Sequence, residues 1–136
     1  MLIEWKDSYC IGVARIDEQH RQLIGMLNEL YRTIGTDIEP ASVWHLLQGF
    51  NRYADTHFIY EERLAREHAT PPAQFAAHCG EHEAYRERMA RFREDFQKGD
   101  RHASVQLMAF LSNWWLSHIL VLDVELGKHL NQQGVH

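Results

Sequence analysis

His57 and Glu61 stand four residues apart, and so do His78 and His82. In an α-helix that spacing sets two side chains within about 40° of each other round the axis and ~6 Å apart along it, so each pair leaves one face together. Both faces are otherwise apolar, with Tyr53, Ala54 and Leu64 beside the first pair and Phe75, Tyr85 and Met89 beside the second. Polar groups aimed into an apolar interior are costly unless compensated, and a metal ion gives imidazole and carboxylate groups a common partner. His20 and His118 fall on two further apolar stripes. Asp123 follows His118 by five residues, about 140° further round an α-helix and ~7.5 Å along it. It is expected to reach the same place from the flank, an approach suited to a carboxylate that bridges two ions.

The elements that must carry these residues are four amphipathic helices. Residues 1–16 show no helical period; Trp5, Ile11, Val13 and Ile16 read as an extended arm over a core, with Gly12 allowing a bend. Asp17 offers an N-cap, and His20, Leu23, Ile24, Leu27, Leu30, Tyr31 and Ile34 then repeat at helical spacing, predicting a first helix over about 17–35. The same period predicts helices over about 41–67, 71–97 and 101–131. Thr70 is placed as the cap of the third, and Val105, Leu111, Trp114, Trp115 and Leu122 face inward in the fourth. Short connections make neighbours antiparallel, so the expected fold is all-α, an up-down-up-down four-helix bundle with an N-terminal arm, in one domain spanning 1–136.

In that arrangement His20 is early in its helix, His57 and Glu61 late, His78 and His82 early, and His118 and Asp123 late, which brings all seven to one end of the bundle. A single pair at this spacing is common on helix surfaces. Seven buried polar groups without compensation would cost more than the ~5–15 kcal/mol that keeps a domain folded. The run His78-Cys-Gly-Glu81-His82 also fits the inverted zinc-protease pattern, a reading set aside because it leaves the other helices' histidines unexplained. Glu81 is expected to face solvent. His45, His68, His102, His129 and His136 share no stripe or level and are assigned to the solvated surface, and Cys79 is not placed among the ligands.

Composition narrows the function classes. A net charge of -5 without a basic run argues against nucleic acid or an anionic membrane as partner. No uninterrupted apolar stretch approaches the ~18 residues of a membrane span. The opening Met1-Leu-Ile-Glu-Trp-Lys-Asp is no signal peptide. Cys10 and Cys79 read as reduced thiols, and a cytoplasmic location is expected.

Taken together, Trp5…Gly12-Val-Ala-Arg-Ile-Asp17-Glu-Gln-His20, His57-Phe-Ile-Tyr-Glu61-Glu62, His78-x-x-x-His82 and Trp114-Trp-Leu-Ser-His118-Ile-Leu-Val-Leu-Asp123 resemble the hemerythrin family, its bacterial members in particular. That resemblance implies a non-haem di-iron centre. His78, His82 and His118 would bind one iron and His20 and His57 the other, with Glu61, Asp123 and an oxo or hydroxo group bridging them. One position would stay open on the two-histidine iron for O2, held as hydroperoxide, with the overall charge of the site unchanged by the reaction. Phe58, Trp114, Trp115 and Ile119 adjoin ligands and are candidates for the wall of the O2 pocket. The family commonly has leucine where Trp115 stands, and the larger ring would narrow the pocket or donate its N–H to bound peroxide. The implied role is an O2 carrier or store rather than an enzyme. Its rivals are an O2- or redox-sensing N-terminal domain of a signalling protein, such as a diguanylate cyclase or chemotaxis receptor with a C-terminal signalling domain, and a di-iron enzyme acting on peroxide or nitric oxide.

Overall fold

The computed structural model describes residues 2–34, 40–99 and 103–136. Its long elements are α1 (Ala14–Ile34), α2 (Pro40–Glu67), α3 (Pro72–Gln97), α4 (Ala103–His118) and α5 (Val124–Gln132). A π-helical turn, Ile119–Asp123, joins α4 to α5, so these two form one fourth rod. Each rod packs on its predecessor and α1 also packs on α4, closing the four-helix bundle. Gly35, Arg101 and His102, on which expected helix ends and one surface histidine fall, lie outside the described residues.

Several boundaries differ from expectation for local reasons. The first helix begins at Ala14, one turn early, and Val13 supplies the first acceptor, its carbonyl taking the Asp17 N–H at 2.9 Å. Asp17 is therefore inside the first turn, and Ile16 belongs to the helix rather than the arm. The Asp17 carboxylate reaches back to accept the Ile11 N–H at 2.7 Å, doing from within the helix what a cap does from outside it. At the third helix Pro71 is the N-cap and Pro72 the first helical residue, while the Thr70 hydroxyl has no partner. Thr70 is instead spent on ending α2. Its N–H bonds the Ala65 carbonyl at 3.1 Å, closing over Ala69 in the left-handed conformation at φ 53°. In the fourth rod Val105 is 70% exposed, because Ala103, Leu107, Leu111 and Trp115 define the inward stripe and Val105 falls off it. Tyr31 likewise points outward.

The apolar interior divides in two. The larger part runs from Leu23, Leu47, Phe92 and Leu107 up to Phe58, Trp115 and Ile119. The smaller part, Ile11, Val13, Ile16, Leu64, Ala65, Leu126 and Leu130, lies under the arm. Along α2 and the fourth rod the polar candidates fall between these parts, at residues 57–61 and 118–123, so hydrophobic burial on both sides fixes their depth. The arm closes the end. Asn28 holds both backbone groups of Ile3 at 2.8 Å, and Asn131 donates to the Gly12 carbonyl at 2.9 Å. Gly127 makes the approach possible, since a Cβ there would stand 2.2 Å from the Ile11 carbonyl oxygen.

The rod Ala103–Gln132 is long and apolar enough to cross a membrane by length and composition, a property hidden from a search for unbroken apolar runs by its interspersed Ser, Asn and His. In this fold its inward face packs against the other helices and carries buried His118 and Asp123.

Candidate metal centre

The seven expected residues meet at one level, each between 0 and 4% exposed. Their ligand atoms form two groups, Glu61 with His78, His82 and His118, and Glu61 with His20, His57 and Asp123, all within 4.8 Å inside each group. Asp123 also spans the two groups. Its Oδ1 lies 2.9 Å from His78 Nε2 and 3.1 Å from His118 Nε2, and its Oδ2 lies 2.9 Å from His20 Nε2. Glu61 does the same, with Oε1 2.7 Å from His57 Nε2 and Oε2 3.7 Å from His78 Nε2.

The π turn is the reason Asp123 can do this. A π turn winds more slowly than an α-helix, so five residues carry the chain less far past a full revolution. The carboxylate that an α-helix would leave on the flank is rotated back above His118. The sequence reading of a regular fourth helix missed this, although the five-residue spacing of two site residues was its one visible signal.

As a hydrogen-bond network the centre does not close. His20 and His57 oppose Nε2 to Nε2 at 3.1 Å, and His82 and His118 do so at 3.0 Å, where at most one proton serves each pair. Glu61 Oε1 and Oε2, Asp123 Oδ1 and Oδ2, and His78 Nε2 are buried without a hydrogen-bond partner of their own. Lone pairs converging on a common interior are what a bound cation requires, and uncompensated they are a burial cost. The residues present therefore fit a metal pair.

Electrostatics point the same way. Burial, reinforced by the neighbouring His20, holds His57 well below the ordinary histidine value, and burial with His118 beside it pushes His82 down to about 2. Both imidazoles are thus neutral and ready to donate a lone pair. Burial lowers His118 too, but Asp123 and Glu81 together outweigh it and hold that ring up at about 9. Glu61 is pushed up by burial and by Asp123, whereas Asp123 is held well down by His118 and its other imidazole partners against the opposing effect of burial.

Outer partners orient the rings, and sequence reasoning missed them. His57 Nδ1–H donates to Gln19 Oε1 at 2.7 Å, which leaves Nε2 bare towards the centre. His118 Nδ1–H donates in the same way to Glu81 Oε1 at 3.1 Å. Glu81 was expected in solvent; it is instead 35% exposed and reaches across from α3 to the fourth rod. Glu62 approaches His82 Nδ1 at 3.6 Å and takes the Cys79 thiol, so Cys79 turns away from the centre. The available signal for Gln19 was a polar residue directly before His20 at the start of an apolar stripe.

Aromatic rings cover the imidazoles. Phe58 stacks on His82 with centroids 4.0 Å apart and on Trp115 at 5.4 Å, and Trp114 stacks on His118 at 4.5 Å. Phe58, Trp115 and Ile119 are buried and Trp114 is half-buried. The Trp115 N–H does not face the centre, because it donates to the Tyr85 hydroxyl at 3.4 Å. Of the histidines assigned to the surface, His45 and His136 are exposed. His129 is half-buried, with Nε2 2.7 Å from the His68 carbonyl, a contact that braces the strained turn at Ala69.

Residues 11–128 match the family described as Hemerythrin HHE cation binding domain. The chain is 36% identical over 135 residues to a bacteriohemerythrin of Stenotrophomonas maltophilia, covering 96% of this chain and 86% of that one. To a bacteriohemerythrin of Pseudomonas aeruginosa it is 30% identical over 116 residues, covering 85% and 72%. A crystal structure of wild-type hemerythrin superposes with a TM-score of 0.86 at 25% identity, covering 96% of this chain and 98% of that one.

Proposed function

The chain belongs to the hemerythrin family, and from that premise we propose that it is a non-haem di-iron protein that binds O2 reversibly as a carrier or store. His78, His82 and His118 would hold one iron, His20 and His57 the other, with Glu61 and Asp123 bridging. Bound there, an iron pair would supply the two electrons that O2 binding needs. The observation that carries the reading is the double reach of Asp123, one oxygen to His78 and His118 and the other to His20. A carboxylate that reaches two imidazole groups at once supports a reading with two ions rather than one.

The chain's own residues do the rest. Gln19 fixes the tautomer of His57 and Glu81 anchors the Nδ1–H of His118, so that both Nε2 atoms face inward, and His118, protonated in the absence of an ion, gives up its Nε2 proton when one binds. Five imidazoles and only two carboxylates keep the centre's negative charge low, which suits binding O2 better than cleaving it. Phe58, Trp115 and Ile119 exclude water from the side that O2 must occupy, and with the Trp115 N–H committed to Tyr85 that wall is apolar. Trp115 also favours a second reading, O2 or redox sensing. Its ring centroid lies 6.1 Å from that of His57, on the two-histidine side, and bulk there leaves little room for a long-lived adduct.

Anaerobic loading with ferrous iron, metal counting, and O2 titration followed by evacuation test both. Two irons per chain and an absorption change that reverses on evacuation are expected of the carrier. Passage straight to an oxidised state would favour sensing, while fewer than two irons or a preference for zinc would overturn the di-iron assignment.

A further inference from the structure

Outside the centre, α2 and α3 line an open cavity of about 430 Å³. Trp44, Asn51, Arg52 and the carboxylate of Asp55 line it from α2, and Tyr85, Arg86 and Arg93 from α3. Its charges are unevenly used. Arg86 is committed to Asp55 at 2.9 Å and Glu83 at 3.4 Å. Among the described residues Arg52 and Arg93 have no ion pair, and the Arg93 guanidinium instead lies 5.5 Å over the Trp44 ring. Asn51 Oδ1 is buried without a hydrogen-bond partner. In a chain of net charge -5, two unpaired guanidiniums facing one cavity are a local reversal of sign. Guanidinium forks match a carboxylate, and the half-buried Trp44 ring matches a flat ring, with Tyr85 buried beneath. The volume lies at the small end of ligand cavities, roughly 300–1,000 Å³.

We propose that this cavity binds a small aromatic carboxylate, its anionic end on Arg52 and Arg93 and its ring against Trp44 above the buried Tyr85, and that occupancy is transmitted to Trp115. The transmission has two physical contacts. The Tyr85 hydroxyl accepts the Trp115 N–H, and Arg86 lies 5.3 Å over Phe58, the ring stacked on both Trp115 and His82. The cavity thus shares Tyr85 and Arg86 with the rings that cover the metal centre and is placed to act as an effector site. None of its lining residues belongs to the seven-residue centre, so the proposal stands whatever ion that centre holds.

Calorimetric titration of the protein as purified with benzoate, acetate and inorganic phosphate tests the binding. One benzoate site per chain is expected, about tenfold tighter than acetate or phosphate because the ring is stacked as well as the charge paired. Arg52→Ala and Arg93→Ala, both on exposed positions, are each expected to weaken benzoate about tenfold through loss of a charge-assisted contact. In parallel, the indole N–H resonance of Trp115, assigned by its shift in Tyr85→Phe, is expected to move on saturation. Benzoate binding weaker than about 1 mM, acetate binding equally well, or no effect of either arginine change would overturn the site. An unmoved Trp115 resonance at saturation would overturn the transmission.

Discussion

Replacing Glu81 by alanine removes the acceptor that holds His118 in place. Glu81 Oε1 lies 3.1 Å from His118 Nδ1, and the ring it orients is fully buried while its own side chain is 35% exposed. When His118 gives up a proton to bind an ion, that contact keeps the remaining one on Nδ1; without it the ring can keep the proton on Nε2, where a lone pair is needed. Outer-shell partners of metal-bound histidines typically carry 10–100-fold in metal affinity; a carboxylate one-third open to solvent belongs at the lower end, about tenfold or ~1.4 kcal/mol. The conservative Glu81→Gln keeps an acceptor at the same place and should recover part of the loss. The assay is stepwise ferrous binding under anaerobic conditions against a competing chelator, so that the two metal steps are read separately. Gln19→Ala provides the contrast. Its amide is only 5% exposed and stands 2.7 Å from His57 Nδ1, so it should cost more, and in the step belonging to the other histidine group. If Glu81→Ala bound both metals as the parent does, the contact would be incidental, and the idea that α3 orients the fourth rod's histidine would fail.

His118→Ala should lose metal while His129→Ala keeps both ions, because the latter ring braces only the His68 carbonyl; metal counting decides, and equal loss would refute the ligand choice. Gly127→Ala should lower stability by about 1–3 kcal/mol in chemical denaturation despite alanine's better helix propensity, since its Cβ would meet the Ile11 carbonyl oxygen at 2.2 Å and the arm must move. For the metal-free protein the sign of the pH dependence can be worked out. Between the ordinary carboxyl value 4.5 and the ordinary imidazole value 6.5, unfolding lets His57 and His82 take up two protons that burial excludes in the fold, while Glu61 releases one that burial retains. His118 is protonated and Asp123 charged in both states there. The unfolded chain takes up protons on balance, so the folding equilibrium should weaken as pH falls through this window, and a flat denaturation profile would contradict it.

The helical period made the four rods and the depth of the site legible in the sequence, because both follow from which residues must be buried. All seven polar positions were visible as exceptions on apolar stripes, and the structure brings every one of them together. What stayed hidden depends on contacts between elements or on backbone detail that a regular period averages away. Asp17 looked like a cap because its residue type suits one, yet whether it caps from outside or reaches back from within is settled by where the arm runs, and the arm is positioned by Asn28, Gly127 and Asn131. Glu81 seemed a surface residue because α3 alone gives it no partner; the partner is on another rod. The π turn leaves no mark in composition, and its effect shows only as a carboxylate that faces inward where a straight helix would turn it aside.

The division of polar and apolar surroundings bears on what a ligand at this centre would meet. Every outward imidazole nitrogen with a close partner finds it on the outer side, Gln19 for His57, Glu81 for His118 and, more distantly, Glu62 for His82. Two of the rings packed over the two-histidine side offer it no donor. Phe58 has none, and the one on Trp115 is spent on Tyr85. A ligand beside His57 therefore receives no hydrogen bond from Trp115. Tyr85→Phe separates the two roles of Trp115. It frees the indole N–H without changing the ring's bulk, so a longer-lived O2 adduct in that variant would mean that the missing donor limits the parent, and an unchanged one that the space beside His57 does.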